Sequence, residues 1–368
     1  MAEVKHRRIA LFLRYLGGGG AERVMLNLAS SFVRYGLQID LVLGKAWGSH
    51  IKKVPPEIRL VDLKASGFLS TTKALMRYLR QERPVVLLSA LHYANEIALL
   101  AKRFAGVSTR VIVSEHNTFS IAIRRTSISK RRFLPFFVRY FYPWADAIVA
   151  VSEGVAKDLA QNTGLPIESI QTIYNPIITP EIFVKAKEPL DSPWFTSGEP
   201  PVILGVGKLE VQKDFTTLIR AFARIRQTRP ARLMILGWGP DLPKLEALVQ
   251  ELGLEEDVSL LGYVDNPYPY MARADVFALS SKWEGFGNVL VESMALGTPV
   301  VSTNCKSGPA EILNNGQYGL LAPVGDSDAL AEAIINILAN GSKPVSPTWL
   351  DRFTSDRIAQ KYIETFAI

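Results

Sequence analysis

The amino-acid sequence predicts an α/β fold made of two doubly wound, Rossmann-like domains with parallel sheets. The chain has 368 residues, which is too many for one ordinary hydrophobic core. Short apolar runs alternate with helical patterns along it, and this alternation is typical of βαβ units. The alternation breaks at a proline-rich stretch, 176–201, and then starts again. Two successive α/β domains, 1–184 and 185–350, are therefore expected.

The first half contains five apolar runs that predict strands, each followed by a segment with helical periodicity. The predicted strands are 9–13, 39–43, 85–89, 111–114 and 147–151. The predicted helices are 21–35, 72–80, 95–104, 133–142 and 154–161.

The second half repeats this pattern after the proline-rich stretch. Its predicted strands are 202–206, 233–236 and 258–261, and its predicted helices are 215–226, 244–252 and 329–338. A further buried strand should end near residue 279, just before the segment that carries the strongest functional signal.

Composition narrows the class of protein. Hydrophobic residues make up 48% of the chain, and the mean hydropathy of +0.12 suits buried parallel strands. No stretch approaches the ~18 uninterrupted apolar residues of a membrane span. The apolar run 9–13 is too short for a signal peptide. Cys305 is the only cysteine, so an internal disulfide is excluded, and a cytoplasmic location is expected.

Charge is distributed unevenly between the two halves. Residues 1–184 hold 25 Lys/Arg and 13 Asp/Glu, a net charge of +12, whereas residues 185–368 hold 17 and 22, a net charge of −5. This asymmetry indicates that the first half meets an anionic partner. Because no nucleic-acid-binding motif is present, a membrane surface or a lipid-linked phosphate is favoured over a nucleic acid.

The segment 284–292 has the most informative arrangement of polar residues. Glu284 and Glu292 stand eight positions apart, and Gly285-Phe286-Gly287 follows the first of them. A buried strand precedes the segment, and a helix with a glycine at its end follows, so Glu284 is expected on a loop at a strand's carboxyl end. Glu292 is expected about two turns into the helix. Ligands bind at this edge of open α/β sheets.

This layout suits a nucleotide sugar. A helix that begins near Asn288 offers unpaired N–H groups and a positive dipole end to a diphosphate. The loop carboxylate of Glu284 can accept hydrogen bonds from sugar hydroxyls, and Glu292 can hold a ribose diol. Two surface glutamates beside a turn would be the simpler alternative, but the strand–loop–helix–strand frame favours a site.

Seven segments follow one another in a characteristic order: Gly17–Arg23 of the glycine loop, 145–152, 173–176, 205–209 with Lys213 after it, 237–240, 262–264 and 284–292. Together they resemble the landmarks of retaining glycosyltransferases of family 4 with the GT-B fold. The resemblance covers nearly the whole chain and implies two Rossmann-like domains that face a central cleft, with the last helix, 351–368, packed back on the first domain.

The resemblance implies roles for individual residues. The first domain would bind the acceptor and the second the nucleotide-sugar donor, with the charge of the diphosphate balanced by lysines and the nucleotide base beside Tyr263. The implied catalytic residues are His116, Glu284, Lys208 and Lys213. The implied donor-binding residues are Gly18, Gly19, Lys208, Lys213, Gly237, Tyr263, Glu284, Gly285, Phe286, Gly287, Asn288, Val289, Leu290 and Glu292. The implied acceptor-binding residues are Gly18, Gly19 and His116.

The four glycines Gly17–Gly20 do not form a dinucleotide fingerprint. The spacing G-x-G-x-x-G would need glycine where Glu22 or Arg23 stands, although Asp40 mimics the ribose-binding acid of that motif. A dehydrogenase is thus excluded. The loop is interpreted as a flexible turn near the donor phosphate and the acceptor, with a purely structural turn as the alternative.

Lys208 and Lys213 follow a predicted strand and flank a helix start. Family members usually have Arg at the first position, and Lys cannot make the bidentate contact of Arg. The alternative is two solvated surface lysines. Asp326-Ser327-Asp328 precedes a predicted helix and is interpreted as its N-cap and first-turn acid rather than as a metal ligand. We therefore expect no metal and no cofactor, with two cations and a helix N-terminus stabilising the departing diphosphate.

Histidines at strand ends are further candidates. His116 lies just past a predicted strand, and by resemblance it is near the reacting sugar; an ordinary loop histidine is the alternative. His92 is a weaker candidate, and Glu115 could supply the polar contact instead.

The segment 124–142 mixes cations with aromatic residues, the chemistry of an interfacial membrane contact. A core helix with a basic loop before it is the alternative. Membrane contact would place the protein at the inner face of the cell membrane.

The expected function is retaining, metal-independent transfer of a sugar (EC 2.4) from a nucleoside diphosphate to a hydroxyl of a lipid-linked or surface-polysaccharide glycan. One rival is another nucleotide-sugar reaction on this fold, such as epimerisation or synthase chemistry. The other is a catalytically silent protein that docks on membranes or senses sugar nucleotides.

Overall fold

The chain forms two compact units. The computed structural model describes residues 7–124 and 128–367, and the side chains of all of these except 128–132. The first unit contains residues up to Ile177 together with Arg352 onwards, and the second runs from Ile178 to Asp351. The division thus falls before the predicted boundary at 184/185.

The first unit is built on a parallel sheet of seven strands within the described residues. Its order is β3-β2-β1-β4-β5-β6-β7, so the chain winds outward from β1 on one side and from β4 on the other. Most residues of the central strands are fully buried, because helices cover both faces. The strands are β1 (Arg8–Leu13), β2 (Gln38–Leu43), β3 (Arg59–Asp62), β4 (Val86–Ala90), β5 (Arg110–Glu115), β6 (Ala147–Ala150) and β7 (Ile170–Thr172).

Within the described residues, this unit has seven helices, six before the chain enters the second unit and one after it returns. Helix α1, for example, buries an apolar stripe that includes Val24, Leu28 and Phe32. The helices are α1 (Gly20–Arg34), α2 (Phe68–Glu82), α3 (His92–Ala105), α4 (Phe119–Arg124), α5 (Ile128–Phe141), α6 (Glu153–Thr163) and, at the end of the chain, α15 (Ser355–Phe366).

The returning helix α15 packs on α1. The ring centroids of Phe32 and Phe366 are 5.3 Å apart, and those of Phe32 and Tyr362 are 6.4 Å apart. At the rim, Arg34 donates to Asp356 across 2.6 Å. The apolar face of α15 is therefore part of the core of the first unit.

The second unit has a six-stranded parallel sheet with the order β10-β9-β8-β11-β12-β13. Its core lies between the sheet and α8 and α13, where Phe222, Ile225 and Ile334 are fully buried. The strands are β8 (Val202–Val206), β9 (Arg232–Leu236), β10 (Val258–Gly262), β11 (Val276–Leu279), β12 (Val300–Thr303) and β13 (Leu320–Ala322). The helices are α7 (Pro180–Lys185), α8 (Phe215–Thr228), α9 (Leu242–Glu251), α10 (Tyr268–Arg273), α11 (Asn288–Ala295), α12 (Pro309–Ile312), α13 (Ser327–Asn340) and α14 (Pro347–Asp351).

The prediction of two Rossmann-like parallel sheets is confirmed, and the differences concern short or exposed elements. Strand β3 is mostly exposed, and β7 has three residues, so neither gives the apolar run of a central strand. The stretch 176–201, predicted to be a linker, contains α7 and belongs largely to the second unit. The predicted cap is confirmed, because Asp326 accepts hydrogen bonds from the N–H groups of Asp328 and Ala329.

Candidate functional site

Strand order places one switch point in each sheet. In the second unit the winding reverses between β8 and β11, and in the first unit between β1 and β4. At such a point the loops at the carboxyl ends of the two strands diverge and leave a crevice where ligands bind. The loops after β8 and β11, which flank this switch point, carry Lys208, Lys213 and Glu284, three of the predicted donor residues.

Lys213 and Glu284 form an ion pair in this crevice. The Lys213 Nζ lies 2.5 Å from Glu284 Oε1, and both side chains are mostly buried. The Ser281 hydroxyl donates to the same carboxylate oxygen across 2.7 Å. A second lysine nearby, Lys282, pairs instead with Asp214, at 3.2 Å. The pairing of Lys213 with Glu284 therefore connects the loop after β8 to the loop after β11.

The backbone around Lys213 is held in place by neighbouring segments. The Ser280 hydroxyl donates to the Lys213 carbonyl oxygen across 2.8 Å. The N–H of Lys282 donates to the Gln212 carbonyl oxygen across 2.8 Å. Asp214, which precedes α8, has a left-handed backbone with φ of 48°. These contacts fix the direction in which the lysine side chain leaves the loop.

The loops after β8, β9 and β10 lie against one another. The N–H of Leu209 donates to the Trp238 carbonyl oxygen, and that of Gly237 donates to the Gly262 carbonyl oxygen. A Cβ on Gly237 would lie 1.8 Å from the Gly207 carbonyl oxygen, so only glycine allows this approach. Lys208 and Tyr263 are exposed on these loops.

Helix α11 begins at Asn288, as predicted, after Gly287 in a left-handed conformation with φ of 102°. Glu292 is four residues later, so it lies about one turn into the helix and not about two. It is buried, and the Tyr268 hydroxyl donates to its Oε1 across 3.4 Å. The N–H of Leu290, predicted to contact the donor, donates to the Gly287 carbonyl oxygen across 3.0 Å.

A segment that sequence reasoning missed lies beside Glu284. After β12 the chain passes under the Gly285–Gly287 turn, and a Cβ on Gly308 would lie 1.7 Å from the Phe286 carbonyl oxygen. The N–H of Glu284 donates to the Lys306 carbonyl oxygen across 3.4 Å. The signal for this segment is Ser307-Gly308-Pro309 immediately after a strand.

Cys305 lies in the same segment and is buried. Burial raises the pKa of its thiol to about 12, and the nearby Glu284 carboxylate adds to the rise. The thiol is therefore neutral at physiological pH and is a poor nucleophile.

In the first unit, the glycine loop follows β1 and leads into α1. Gly18 has a left-handed backbone with φ of 96°, and a Cβ there would lie 2.5 Å from the Ser49 hydroxyl. A Cβ on Gly19 would lie 2.4 Å from a carboxylate oxygen of Glu22. Gly18 and Gly19 thus allow polar side chains to approach the backbone closely.

His116 is buried at the end of β5. Its Nε2 lies 3.1 Å from the Ser114 hydroxyl, which is 3.4 Å from the Tyr362 hydroxyl of α15. Burial lowers the pKa of His116 to about 4, although the Glu115 carboxylate opposes this shift. The ring is therefore neutral at physiological pH and can donate from one nitrogen and accept at the other.

His92, the weaker candidate of the sequence, is the first residue of α3 and belongs to a buried polar cluster. Its Nε2 lies 2.8 Å from Glu96 Oε1, and its Nδ1 lies 3.5 Å from Glu115 Oε1. Burial alone would lower the pKa of His92, but hydrogen bonds to Glu115 and Glu96 raise it to about 9. Glu115 also accepts hydrogen bonds from Asn95 and Tyr142, so its carboxylate is occupied within the protein.

Asp40 does not belong to a ligand site. Arg59 and the Tyr78 hydroxyl both donate to its carboxylate, which is buried in β2. Asp40 has the spacing of a ribose-binding acid, but its hydrogen bonds show that it stabilises the packing around the sheet instead.

Profiles of two known families match the chain. A profile described as Glycosyltransferase Family 4 matches residues 18–180, and one described as Glycosyl transferases group 1 matches residues 200–340. A Campylobacter jejuni enzyme, N-acetylgalactosamine-N,N'-diacetylbacillosaminyl-diphospho-undecaprenol 4-alpha-N-acetylgalactosaminyltransferase, is 33% identical over 343 residues, which cover 90% of either chain. The chain belongs to glycosyltransferase family 4.

A second relative of this glycosyltransferase is the lipopolysaccharide core biosynthesis glycosyltransferase LpsE of Rhizobium meliloti. It is 29% identical over 95% of this chain and 96% of its own. Solved structures show the GT-B fold: Anabaena HepE in complex with UDP and glucose has a TM-score of 0.80 at 21% identity, over 98% of this chain and 100% of that one. A glycosyltransferase from Rickettsia africae has a TM-score of 0.81 at 17% identity, over 98% of each chain.

Two further predictions for this glycosyltransferase concern the membrane and metal ions. None of the helices in the described part of the chain has the length and apolar content that a membrane crossing needs. In residues 7–124 and 128–367, no three His, Cys, Asp or Glu side chains lie together so that they could hold a metal ion.

The predicted membrane segment 124–142 is only partly described. Arg125 lies outside the described residues, as do the side chains of Lys130, Arg131 and Arg132. In the described part, three aromatic side chains of α5 are more than half exposed: Phe133, Phe136 and Tyr140.

Proposed function

We propose that this glycosyltransferase moves a sugar from a nucleoside diphosphate to a hydroxyl of a lipid-linked or surface-polysaccharide glycan, with retention of configuration and without a metal ion. The observation that carries the proposal is the Lys213–Glu284 pair at the switch point of the second sheet. A cation for phosphate and a carboxylate for sugar hydroxyls stand there side by side, next to the first turn of α11.

The donor is bound by the second unit. Lys213 and Lys208 balance the charge of the diphosphate, together with the N–H groups of the first turn of α11. Glu284 and the backbone of Gly285–Gly287 hold the transferred sugar. Glu292, about one turn into α11, holds the ribose, and the backbone near Tyr263 faces the base. The N–H of Leu290 already donates to the Gly287 carbonyl oxygen within this turn.

Retention follows from attack on the same face from which the diphosphate leaves. The departing phosphate oxygen takes the proton of the acceptor hydroxyl as the new glycosidic bond forms and the bond to the diphosphate breaks. The two lysines stabilise the negative charge that develops on the diphosphate. These cations carry the role that a metal ion has in many other transferases, which supports a metal-independent reaction.

The acceptor is bound by the first unit, beside Gly18, Gly19 and His116. The acceptor in the name of the Campylobacter jejuni relative is a glycan on diphospho-undecaprenol, and the Rhizobium meliloti relative serves lipopolysaccharide core biosynthesis. The net charge of +12 on residues 1–184 suits an anionic, lipid-linked acceptor and the inner face of the cell membrane. The exposed aromatic residues of α5 support contact with that surface.

Thermal stability in the presence of nucleotides tests the donor site. We expect one nucleoside diphosphate, and its sugars, to raise the melting temperature by about 5 °C at saturating concentration, because a ligand that binds only the folded state stabilises it. EDTA should leave the shift unchanged. Glu292→Ala should abolish it, whereas Glu246→Ala, on the exposed side of α9, should not.

Other outcomes contradict the proposal. If no nucleotide shifts the melting temperature, the donor site is wrong and the catalytically silent alternative becomes the better explanation. Consumption of the donor sugar without any acceptor would favour an epimerase. Efficient transfer to a small soluble sugar phosphate would favour synthase chemistry over a lipid-linked acceptor.

A further inference from the structure

Four aromatic rings and one arginine form a continuous row along the carboxyl edge of the first sheet. The ring centroids of Trp47 and Tyr15 are 5.8 Å apart, and the Arg14 Cζ lies 5.6 Å from the Tyr15 centroid. The same Arg14 carbon lies 4.9 Å from the ring of Tyr93, whose centroid is 5.7 Å from that of Phe68. We call these five residues the aromatic row.

Four members of the aromatic row lie after neighbouring strands of one edge. Trp47 follows β2, Arg14 and Tyr15 follow β1, and Tyr93 follows β4, whereas Phe68 begins α2 after β3. The sheet order β2-β1-β4 brings these loops side by side, at the switch point of the first unit. Side chains from separate stretches of sequence thus meet where an open α/β sheet binds its ligand.

The aromatic row is partly open to solvent. Trp47 is 61% exposed and Tyr15 is 37% exposed, Arg14 is exposed, and Phe68 and Tyr93 are half-buried. Single exposed apolar side chains are common on proteins and need no explanation. A run of large aromatic residues that contact one another is unusual, and such patches mark binding surfaces.

The aromatic row is joined to the glycine loop. A Cβ on Gly17 would lie 2.9 Å from the ring of Tyr15, so the ring rests on the loop backbone. The N–H of Leu16 donates to the Trp47 carbonyl oxygen across 2.9 Å, and the N–H of His50 donates to the Leu16 carbonyl oxygen. Tyr15 and Trp47 are therefore held in position relative to Gly18 and Gly19, where the acceptor hydroxyl is proposed to react.

We infer that the aromatic row binds the sugar rings of the acceptor glycan that lie beyond the reacting hydroxyl, and this rests on the proposed function. Sugar rings present apolar C–H faces bordered by hydroxyl groups, so they stack on aromatic rings and hydrogen-bond to polar groups between them. Arg14 stands between Tyr15 and Tyr93 and brings N–H donors into the middle of the row. Aromatic surfaces with a few fixed polar groups are typical of ligand sites.

The geometry favours a glycan over a bilayer as the occupant. Neighbouring rings stand at interplanar angles of 78° and 74°, so the surface is stepped rather than a flat apolar face. A cation in the middle of the row would have to be buried in hydrocarbon if the row entered a membrane. The exposed aromatic residues of α5 belong to a different element, which contributes no member of the row.

Kinetics with a soluble acceptor test this inference. The probe is a disaccharide of N-acetylhexosamines on the diphosphate of a short prenyl alcohol, with the donor that stabilises the protein most. We expect Trp47→Ala and Tyr93→Ala each to raise the KM for this acceptor about tenfold, the loss of one good stacking contact. The KM for the donor and its slow hydrolysis by water should stay unchanged. Phe104→Ala, which removes another exposed aromatic side chain of the first unit, is the matched control.

Tryptophan fluorescence separates this inference from the proposed reaction. The disaccharide probe, added without donor, should change the emission of the native protein but not that of Trp47→Phe. Such a change in emission, without any sugar transfer when donor is added, would support the inference about the aromatic row and overturn the proposed function. If Trp47→Ala and Tyr93→Ala bind the soluble probe as the native protein does, the inference is wrong. If the same variants lose only binding to anionic vesicles without glycan, the row contacts a membrane and the inference is equally wrong.

Discussion

Lys213 illustrates how separate contacts direct one charge at the scale of a single residue. The Ser280 hydroxyl holds its carbonyl oxygen, and Glu284 holds its ammonium group. Lys282 lies close by and carries the same charge, but it pairs with Asp214 and is much more exposed. The two lysines therefore offer a comparison in which charge is constant and position differs.

Lys213→Ala should lower kcat at least about a hundredfold, the usual effect of removing a group that stabilises charge in the transition state. Lys282→Ala should change kcat little. Steady-state rates of sugar transfer measure both. Because the alanine at 213 also leaves Glu284 without its cation, the double variant Lys213→Ala with Glu284→Gln should recover stability and not activity. Equal losses of activity in the two single lysine variants would contradict the role of Lys213.

His92 and His116 make opposite predictions for stability against pH. The pKa of His92 is raised from 6.5 to about 9, so its contribution is complete below about pH 6.5 and is lost as the pH rises through 9. The pKa of His116 is lowered to about 4, so its contribution is complete above about pH 6.5 and is lost as the pH falls through 4.

Urea denaturation across this pH range checks the prediction. His92→Gln should flatten the alkaline limb of the stability curve, and His116→Gln should flatten the acid limb. Glu96 and Glu115 face the His92 ring, and Tyr142 lies beside it, so these groups set the alkaline limb. An unchanged alkaline limb in His92→Gln would mean that this imidazole is neutral in the folded protein.

At the scale of elements, the loop after β12 supports the turn that follows Glu284. Gly308 has φ of 92°, and its missing side chain lets the chain approach the Phe286 carbonyl oxygen. Gly316 has nearly the same backbone angle, φ of 94°, but its nearest neighbour would be 3.8 Å from a Cβ. A comparison of Gly308 with Gly316 therefore separates the effect of a left-handed backbone from the effect of a steric clash at the Cβ.

Gly308→Ala should lower the free energy of unfolding by about 2–4 kcal/mol, because a Cβ would overlap a carbonyl group and the turn must move. Gly316→Ala should cost about 1 kcal/mol, since only the left-handed backbone is disfavoured. Urea midpoints measure both, and the nucleotide shift of melting temperature should be weakened in Gly308→Ala alone. Similar urea midpoints for the two variants would show that the loop after β12 can move to accommodate a Cβ without lowering the free energy of unfolding further.

At the scale of the whole molecule, the two parallel sheets could be predicted because buried parallel strands are short apolar runs between helical patterns. The position of Glu284 at a strand end followed from the same pattern. Strand β3 could not be predicted, since its residues are largely exposed at a sheet edge. Nor could the ion pair of Lys213 with Glu284, because it joins loops 71 positions apart whose proximity depends on sheet order.

The aromatic row escaped prediction for a similar reason. In the sequence, nothing connects Trp47, Tyr15 and Tyr93, because each follows a different strand. Only the strand order β2-β1-β4 makes them neighbours. The polar cluster around His92 could not be predicted because its two carboxylate partners come from different elements, α3 and β5. Contacts of this kind depend on topology, which local periodicity does not contain.

The placement of α15 has a consequence for how the protein is made. A ribosome completes all of β1 to β7 before it starts on the second unit, yet the helix that covers Phe32 is synthesised after that unit. Throughout that interval the nascent first unit exposes an apolar groove on α1. Chaperones that recognise such grooves could bind it throughout this interval. A protein fused directly after α15 would hinder the packing of this helix, which is the last element to join the core of the first unit.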